Sequence, residues 1–265
     1  MDPRFCEIVE GDGPILATAI HDGHALREEV ARLTALSDGD RLREEDPYTG
    51  TWASLAPTRL VVLRSRFEVD LNRPREKSAY RRPEDAWGLK LWKEEPTDGI
   101  VQRSLDYYDA FYATVERIHA GLAARSGKFV VFDLHSYNHR RTGPSGSPAD
   151  PTGNPEVNVG TGTMRNRAQW ARLIERFITD LSAADFLGRE LDVRENVRFR
   201  GGNLGRWTHE TFPEAGCVLS VEFKKFFMDE WTGELDTEQH AAIGRALAGT
   251  VPGVLEELRR MGAKL

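Results

Sequence analysis

Residues 129–137 read Phe-Val-Val-Phe-Asp-Leu-His-Ser-Tyr: an apolar run ending on an imidazole, with an acid two positions before it and a hydroxyl just after. A run of this length between Gly127 and a polar stretch predicts a buried strand. Open α/β sheets place their ligands at the carboxyl ends of their strands, so His135 is expected to reach a cleft. Imidazole is a common metal ligand, and Asp133 is spaced to orient it from behind. A hydrogen-bonded structural histidine is the competing account of the same residue.

Three further groups lie at or just past the ends of apolar runs. His21-Asp22-Gly23-His24 follows the run 14–20, and two imidazoles three apart at a strand end can reach one cation; glycine-rich turns with histidine are also ordinary. Arg66 and Arg73, with Asn72 beside them, follow Leu60–Leu63. Guanidinium grips a carboxylate bidentately, whereas a solvated arginine loop would only make surface ion pairs. Glu222 interrupts the run 217–223. A buried acid must be paired or have its pKa raised. General-base duty near a metal-bound water is one outlet. A salt bridge to Lys224 or Lys225 is the other, and strand alternation puts only Lys224 on the face of Glu222. Two separated imidazoles, an arginine pair and a strand-end glutamate are the parts of a mononuclear zinc amidohydrolase. The metal acidifies water or polarises the carbonyl and the glutamate moves the proton, while one arginine holds the oxyanion and the other a substrate carboxylate.

Strands alternating with helices must position these groups. Runs at 14–20, 60–63, 129–137 and 217–223, and partial alternation over 192–200, predict strands. Helical spacing appears over 25–36, over 104–124 (Leu105, Tyr108, Phe111, Val115, Ile118, Leu122) and over 168–181 (Trp170, Leu173, Ile174, Phe177, Leu181). A closing helix is expected over 237–261, kinked or split at Pro252. Residues 37–58 read as a loop with a short helical piece and 74–102 as an irregular excursion. Residues 139–166 form a long loop of a kind uncommon unless functional. The expected class is α/β, with a mixed, mostly parallel sheet flanked by helices, in a single domain over 1–265.

A chain of 265 residues is long enough for such a core. A net charge of -6 argues against a nucleic-acid partner, which calls for a clustered basic surface. Cys6 and Cys217 are spaced neither as a metal knuckle nor as a redox pair. There is no visible signal peptide and no run long enough to span a bilayer, so a cytoplasmic protein with no membrane partner is expected.

Five segments also carry a resemblance, in consistent order. They are Ser-Arg-Phe-Glu-Val-Asp-Leu-Asn-Arg-Pro (65–74), Asp-Leu-His-Ser (133–136), Asn-Val-Gly-Thr (158–161), Arg-Phe-Arg-Gly-Gly-Asn-Leu-Gly-Arg (198–206) and Ser-Val-Glu-Phe (220–223). The first is the most specific. Together they resemble the N-formylglutamate amidohydrolase family, itself similar in fold to the zinc carboxypeptidases and aspartoacylase. Ile20-His21-Asp22-Gly23 departs from the family's Pro-His-Ser-Gly or Pro-His-Ala-Gly, and 75–102 matches only in outline.

The resemblance implies His21 and His135 as ligands of one zinc ion, with Asp46 as the third ligand and His24 as the alternative. It implies Arg66 on the scissile carbonyl or oxyanion, and Glu222 as general acid/base. Asn72, Arg73 and Arg206 would contact the substrate carboxylate, with Asn158 and Thr161 as further substrate contacts. Lys77, Arg81 and Arg82 would suit an acidic substrate, or form a solvated basic loop. His139 and His209 sit in expected loops near the site, while His119 reads as packing or half-exposed and His240 as surface. The expected activity is zinc-dependent hydrolysis of an N-acyl acidic amino acid, with N-formylglutamate the single best substrate. The alternatives are a carboxypeptidase-like or other N-acyl-amino-acid hydrolase, which would take a short peptide, and a non-catalytic binding module.

Overall fold

In chain order the strands are β1 (Cys6–Val9), β2 (Ile15–Ala19), β3 (Thr58–Val62), β4 (Phe129–Tyr137), β5 (Val157–Gly160), β6 (Val193–Glu195) and β7 (Gly216–Lys224). The structure is a computed structural model and describes residues 5–265. The strands pair into one seven-stranded sheet in the order β1-β3-β2-β4-β7-β5-β6. β3, β2, β4 and β7 run parallel. β1 joins β3 antiparallel, β5 joins β7 antiparallel, and β6 runs parallel to β5. This is a single α/β domain with a mixed sheet, and the parallel centre brings the carboxyl ends of β2, β4 and β7 side by side.

The α-helices are α1 (Glu28–Leu33), α2 (Asp38–Glu44), α3 (Thr49–Trp52), α4 (Arg75–Ser78), α5 (Asp98–Ser126), α6 (Arg167–Ser182), α7 (Asn203–Thr211) and α8 (Thr237–Arg260). One face of the sheet, including Ala17, Phe132, Leu134, Leu219 and Val221, packs on Trp170 and Phe177 of α6 and Ile243 and Leu247 of α8. The other, including Leu16, Leu60, Val131 and Val218, packs on Phe111, Val115 and Leu122 of α5. All nine residues of β4 are buried, as expected for a strand covered on both faces. Among the described residues, no helix is long and apolar enough to cross a membrane.

Several elements differ from expectation. β5 lies inside the expected loop, and β1 and α7 were not foreseen; β1 and β5 have only four residues each, too few for a period to register. The helix expected over 25–36 shortens to α1, because Ala25 is bridged to Arg64 beside the sheet. The strand expected over 192–200 stops at Glu195: Asn196 turns to a φ of 55° and its side chain accepts from the amides of Thr161 and Gly162. α8 runs unbroken through Pro252. Burial of Ile243, Leu247, Val254 and Leu258 on both sides of the proline offsets a local cost of roughly 3 kcal/mol.

Candidate active site

The site grows from the ends of three adjacent strands. Register sets Thr18 of β2 beside Asp133 of β4, and His135 of β4 beside Glu222 of β7. His21 follows β2 by two residues. The turn that carries it passes so close to β3 that a Cβ on Gly23 would meet the Leu63 backbone at 2.1 Å. Asp46 arrives on the segment after α2, a helix begun by a Ser37–Asp40 capping box, and its backbone N–H donates to the His21 carbonyl at 2.9 Å.

His21 Nδ1 and His135 Nδ1 lie 3.4 and 2.9 Å from the same Asp46 Oδ2. One ligand atom from each of His21, Asp46 and His135 falls within 4.8 Å of the others, and all three residues are buried. The far nitrogens are backed by acids. His21 Nε2 is 2.7 Å from Asp70 Oδ1, and His135 Nε2 is 3.0 Å from Asp133 Oδ2, the latter without hydrogen-bond alignment. Thr18 Oγ1 donates to the other Asp133 oxygen at 2.8 Å. Two imidazoles, a carboxylate and acids behind the rings are a donor set that suits Zn²⁺.

Electrostatics agree with that fit. Burial alone would lower the His135 pKa, but Asp133, Glu222 and Asp46 outweigh it and raise it well above the usual value. Burial alone would raise Asp46, and the two imidazoles overcome it to hold the carboxyl far below the usual range. A buried centre with this surplus of carboxylates could hold a cation. Glu222, half-buried, is pushed up to about 7, chiefly by burial, with Asp46 and Asp133 adding and His135 and Arg66 opposing. Neither neighbouring lysine forms an ion pair with it among the described residues. Lys225 instead donates to the carbonyls of Arg43 and Glu45 at 2.6 and 2.7 Å.

Asp70, fully buried, is the hub that ties Arg66, Asn72 and Tyr80 to His21. It accepts from Arg66 Nη2 at 2.8 Å, from the Asn72 amide at 2.9 Å and from the Tyr80 hydroxyl, besides meeting His21. Arg66 and His21 outweigh burial and hold it well below the usual carboxylate range. Arg66 also donates to the Glu44 carbonyl at 3.2 Å. Asn72 Oδ1 accepts from the Leu204 amide at 3.2 Å. A Cβ on Gly202 would meet Asn72 Oδ1 itself at 2.1 Å, so glycine there makes room for Asn72. Arg73 is the freer arginine, 42% exposed and 3.6 Å from Asp70.

These groups surround a cavity of about 230 Å³. Its lining includes His21, Asp46, His135 and Glu222 together with Arg66, Asn72, Arg73, Arg141, Trp87, Glu44, Asn138 and Lys225. The N-formylglutamate amidohydrolase family matches residues 13–226, a range that includes every residue of that lining. The chain belongs to that family. It is thereby a hydrolase of the amidohydrolase kind. An N-formylglutamate amidohydrolase from Ralstonia eutropha JMP134 superposes with a TM-score of 0.76 at 18% identity, covering 97% of this chain and 99% of that one. A gene product from Agrobacterium tumefaciens reaches 0.66 at 19% identity, covering 96% of each. A metallo-carboxypeptidase from Burkholderia cenocepacia gives 0.40 at 16%, covering 93% of this chain and 58% of the other. No curated protein matches the chain.

In this N-formylglutamate amidohydrolase-family chain, several expected contacts lie elsewhere. His24 turns from the histidine–aspartate cluster to Glu45, at 2.6 Å, and Arg41, at 2.9 Å. Arg206 is exposed on α7 and outside the cavity lining, because Leu204, Gly205, Thr208 and His209 occupy the inward face. Asn158 spends its side chain on the backbone of Arg198 and Phe199. Thr161 bonds Glu195 and Asn196 and is fully buried, so both are scaffolding for the loop that frames the cavity. Lys77, Arg81 and Arg82 are exposed and line no part of the cavity, and Arg81 pairs with Asp98 at 2.8 Å.

The other histidines are also settled by their contacts. His209 lies on α7 rather than in a loop, and it accepts from the Val218 amide at 3.0 Å. His139 is buried beside the Glu230 carboxylate that accepts its amide at 2.7 Å. His119 is fully buried among Phe129, Trp207 and Phe212. His240 is half-buried and stacks on Trp52 at 5.1 Å.

Sequence reasoning assigned no individual role to Asp70, Arg141 or Trp87, and offered Lys225 only as a salt-bridge partner of Glu222, which it is not. Asp70 had a signal, an acid four residues after Arg66 and three before Arg73. The others had none, since cavity walls drawn from separate loops leave no spacing to read.

Proposed function

We propose that the chain is one catalytic unit that hydrolyses the amide bond of N-acyl acidic amino acids, N-formylglutamate foremost, with Zn²⁺ held by His21, Asp46 and His135. The observation that carries the reading is the juxtaposition in the lining of one cavity of Glu222, which forms no ion pair among the described residues, the histidine–aspartate cluster and three arginines, Arg66, Arg73 and Arg141. Zn²⁺ bound there supplies Lewis acidity toward water and the scissile carbonyl.

The residues divide the remaining work. Arg73, with Asn72, binds the α-carboxylate. Arg141 makes no ion pair or hydrogen bond among the described residues yet lines the cavity, which suits a second carboxylate on the substrate. Arg66 is fixed by Asp70 and the Glu44 carbonyl and donates to the oxygen on which charge develops. Glu222, with its pKa near neutrality, takes a proton from the attacking water. As the carbon–nitrogen bond breaks it returns that proton to the amine, so formate and glutamate leave for one water consumed.

The test is metal analysis of the purified protein with a hydrolysis screen over N-formyl, N-acetyl and N-succinyl amino acids and short peptides. About one Zn²⁺ per chain and highest kcat/KM on N-formylglutamate are expected. Release of C-terminal residues from peptides, with N-formylglutamate untouched, would replace the reading with a carboxypeptidase-like one. A metal-free, folded protein that hydrolyses nothing would replace it with a binding module.

A further inference from the structure

Trp87 is a cavity-wall residue whose backbone is strained for the side chain it carries. It closes a short helical turn at φ 55° and ψ 23°, in the left-handed region, and the residue is 45% exposed. For a bulky L residue that conformation is an outlier that needs a reason. Burial is not the reason, since the residue stays largely exposed. It borders a small apolar cluster built from Phe67, Tyr80, Ala86 and Leu91 and touches it through Tyr80. Its ring also reaches toward the site. The Arg66 guanidinium carbon sits 4.9 Å from the indole centroid, and Tyr80, which bonds Asp70, meets the ring edge-on at 6.2 Å.

Arg66 is thus held at two nitrogens and set over an aromatic ring. Nη2 is on Asp70 and Nη1 on the Glu44 carbonyl, while the guanidinium carbon lies over the Trp87 indole. A guanidinium packed over an aromatic ring loses water and rotamer freedom, which sharpens a donor that must wait for charge to develop.

We propose that Trp87 is a positioning residue for Arg66, retained in a strained backbone so that its indole packs against the guanidinium. The inference rests on the reading of Arg66 as the oxyanion donor.

The test compares Trp87→Gly, Trp87→Phe and Arg66→Ala in the metal-loaded enzyme, with thermal midpoints beside the kinetics. Glycine adopts the left-handed conformation freely, so Trp87→Gly should keep or raise the midpoint. Its kcat should fall by about tenfold or more with KM changed less than about threefold, because the lost interaction belongs to the transition state. Trp87→Phe should recover most of the kcat. Wild-type kcat in Trp87→Gly overturns the proposal. So does a kcat loss that tracks a lowered midpoint, or a raised KM at constant kcat. Arg66→Ala separates the two levels: if it loses activity while Trp87→Gly does not, only the Trp87 assignment fails, and if Arg66→Ala itself is neutral, the reading of the site fails.

Discussion

In metal-stripped protein, Glu222→Gln removes a carboxyl that folding holds against its preferred ionisation. The pKa moves from 4.5 to about 7 on folding, chiefly through burial. At about 1.36 kcal/mol per unit the whole shift is worth ~3 kcal/mol, and the side chain's opening onto the cavity reduces that to ~1–2 kcal/mol. The sign follows from proton counting. Between about 4.5 and 7 the native state keeps a proton that the unfolded chain has released, so stability is lost as pH rises through that window. Glutamine carries no such penalty. The variant should match the wild type near pH 4 and exceed it by ~1–2 kcal/mol near pH 8, the contributions of groups remote from Glu222 cancelling in the difference. Urea denaturation followed by tryptophan fluorescence, in chelator across that range, measures the gap. A gap that does not change with pH, or a variant less stable than wild type near pH 8, refutes the electrostatic reasoning. The metal-loaded variant should lose ~10²–10⁴-fold in kcat/KM, and full activity would remove Glu222 from the mechanism.

Asp70→Asn should weaken Zn²⁺ binding by ~10–100-fold, since Asp70 orients His21, and competition with a chromogenic chelator reads it; unchanged affinity refutes that role. Arg141→Gln should raise KM for N-formylglutamate by about tenfold and leave a neutral N-formyl amino acid unaffected, whereas equal shifts on both substrates would deny Arg141 a carboxylate. His119 is buried with neither ring nitrogen hydrogen-bonded, and burial lowers its pKa to about 3. As pH falls from about 6.5 toward 3 the unfolded chain takes a proton that the native state refuses, so stability is lost on acidification. His119→Leu should raise stability by ~1 kcal/mol near neutrality and shift acid unfolding to lower pH, and an unchanged acid midpoint counts against this account.

The apolar runs around residues 15–20, 60–62, 129–137 and 217–223 determine by themselves the parallel centre of the sheet, because burial on both faces leaves a continuous signal in the chain. The same runs place His21, His135 and Glu222 at or near strand ends. The segment 65–74 carries Arg66, Asp70, Asn72 and Arg73 together in a single stretch. The tertiary structure decides what depends on contacts between distant segments. Asp46 joins His21 and His135 because the chain after α2 folds back on β2, which puts His24 on Glu45 instead. Arg206 faces solvent, and Asn158 and Thr161 hold loops, because a helix face and a turn's hydrogen bonds are settled only by what packs beside them. Trp87 and Arg141 meet the cavity from two loops 54 residues apart in number. Local periodicity records which side of a strand or helix is buried; it holds no record of which separate loops close over the same 230 Å³ of space.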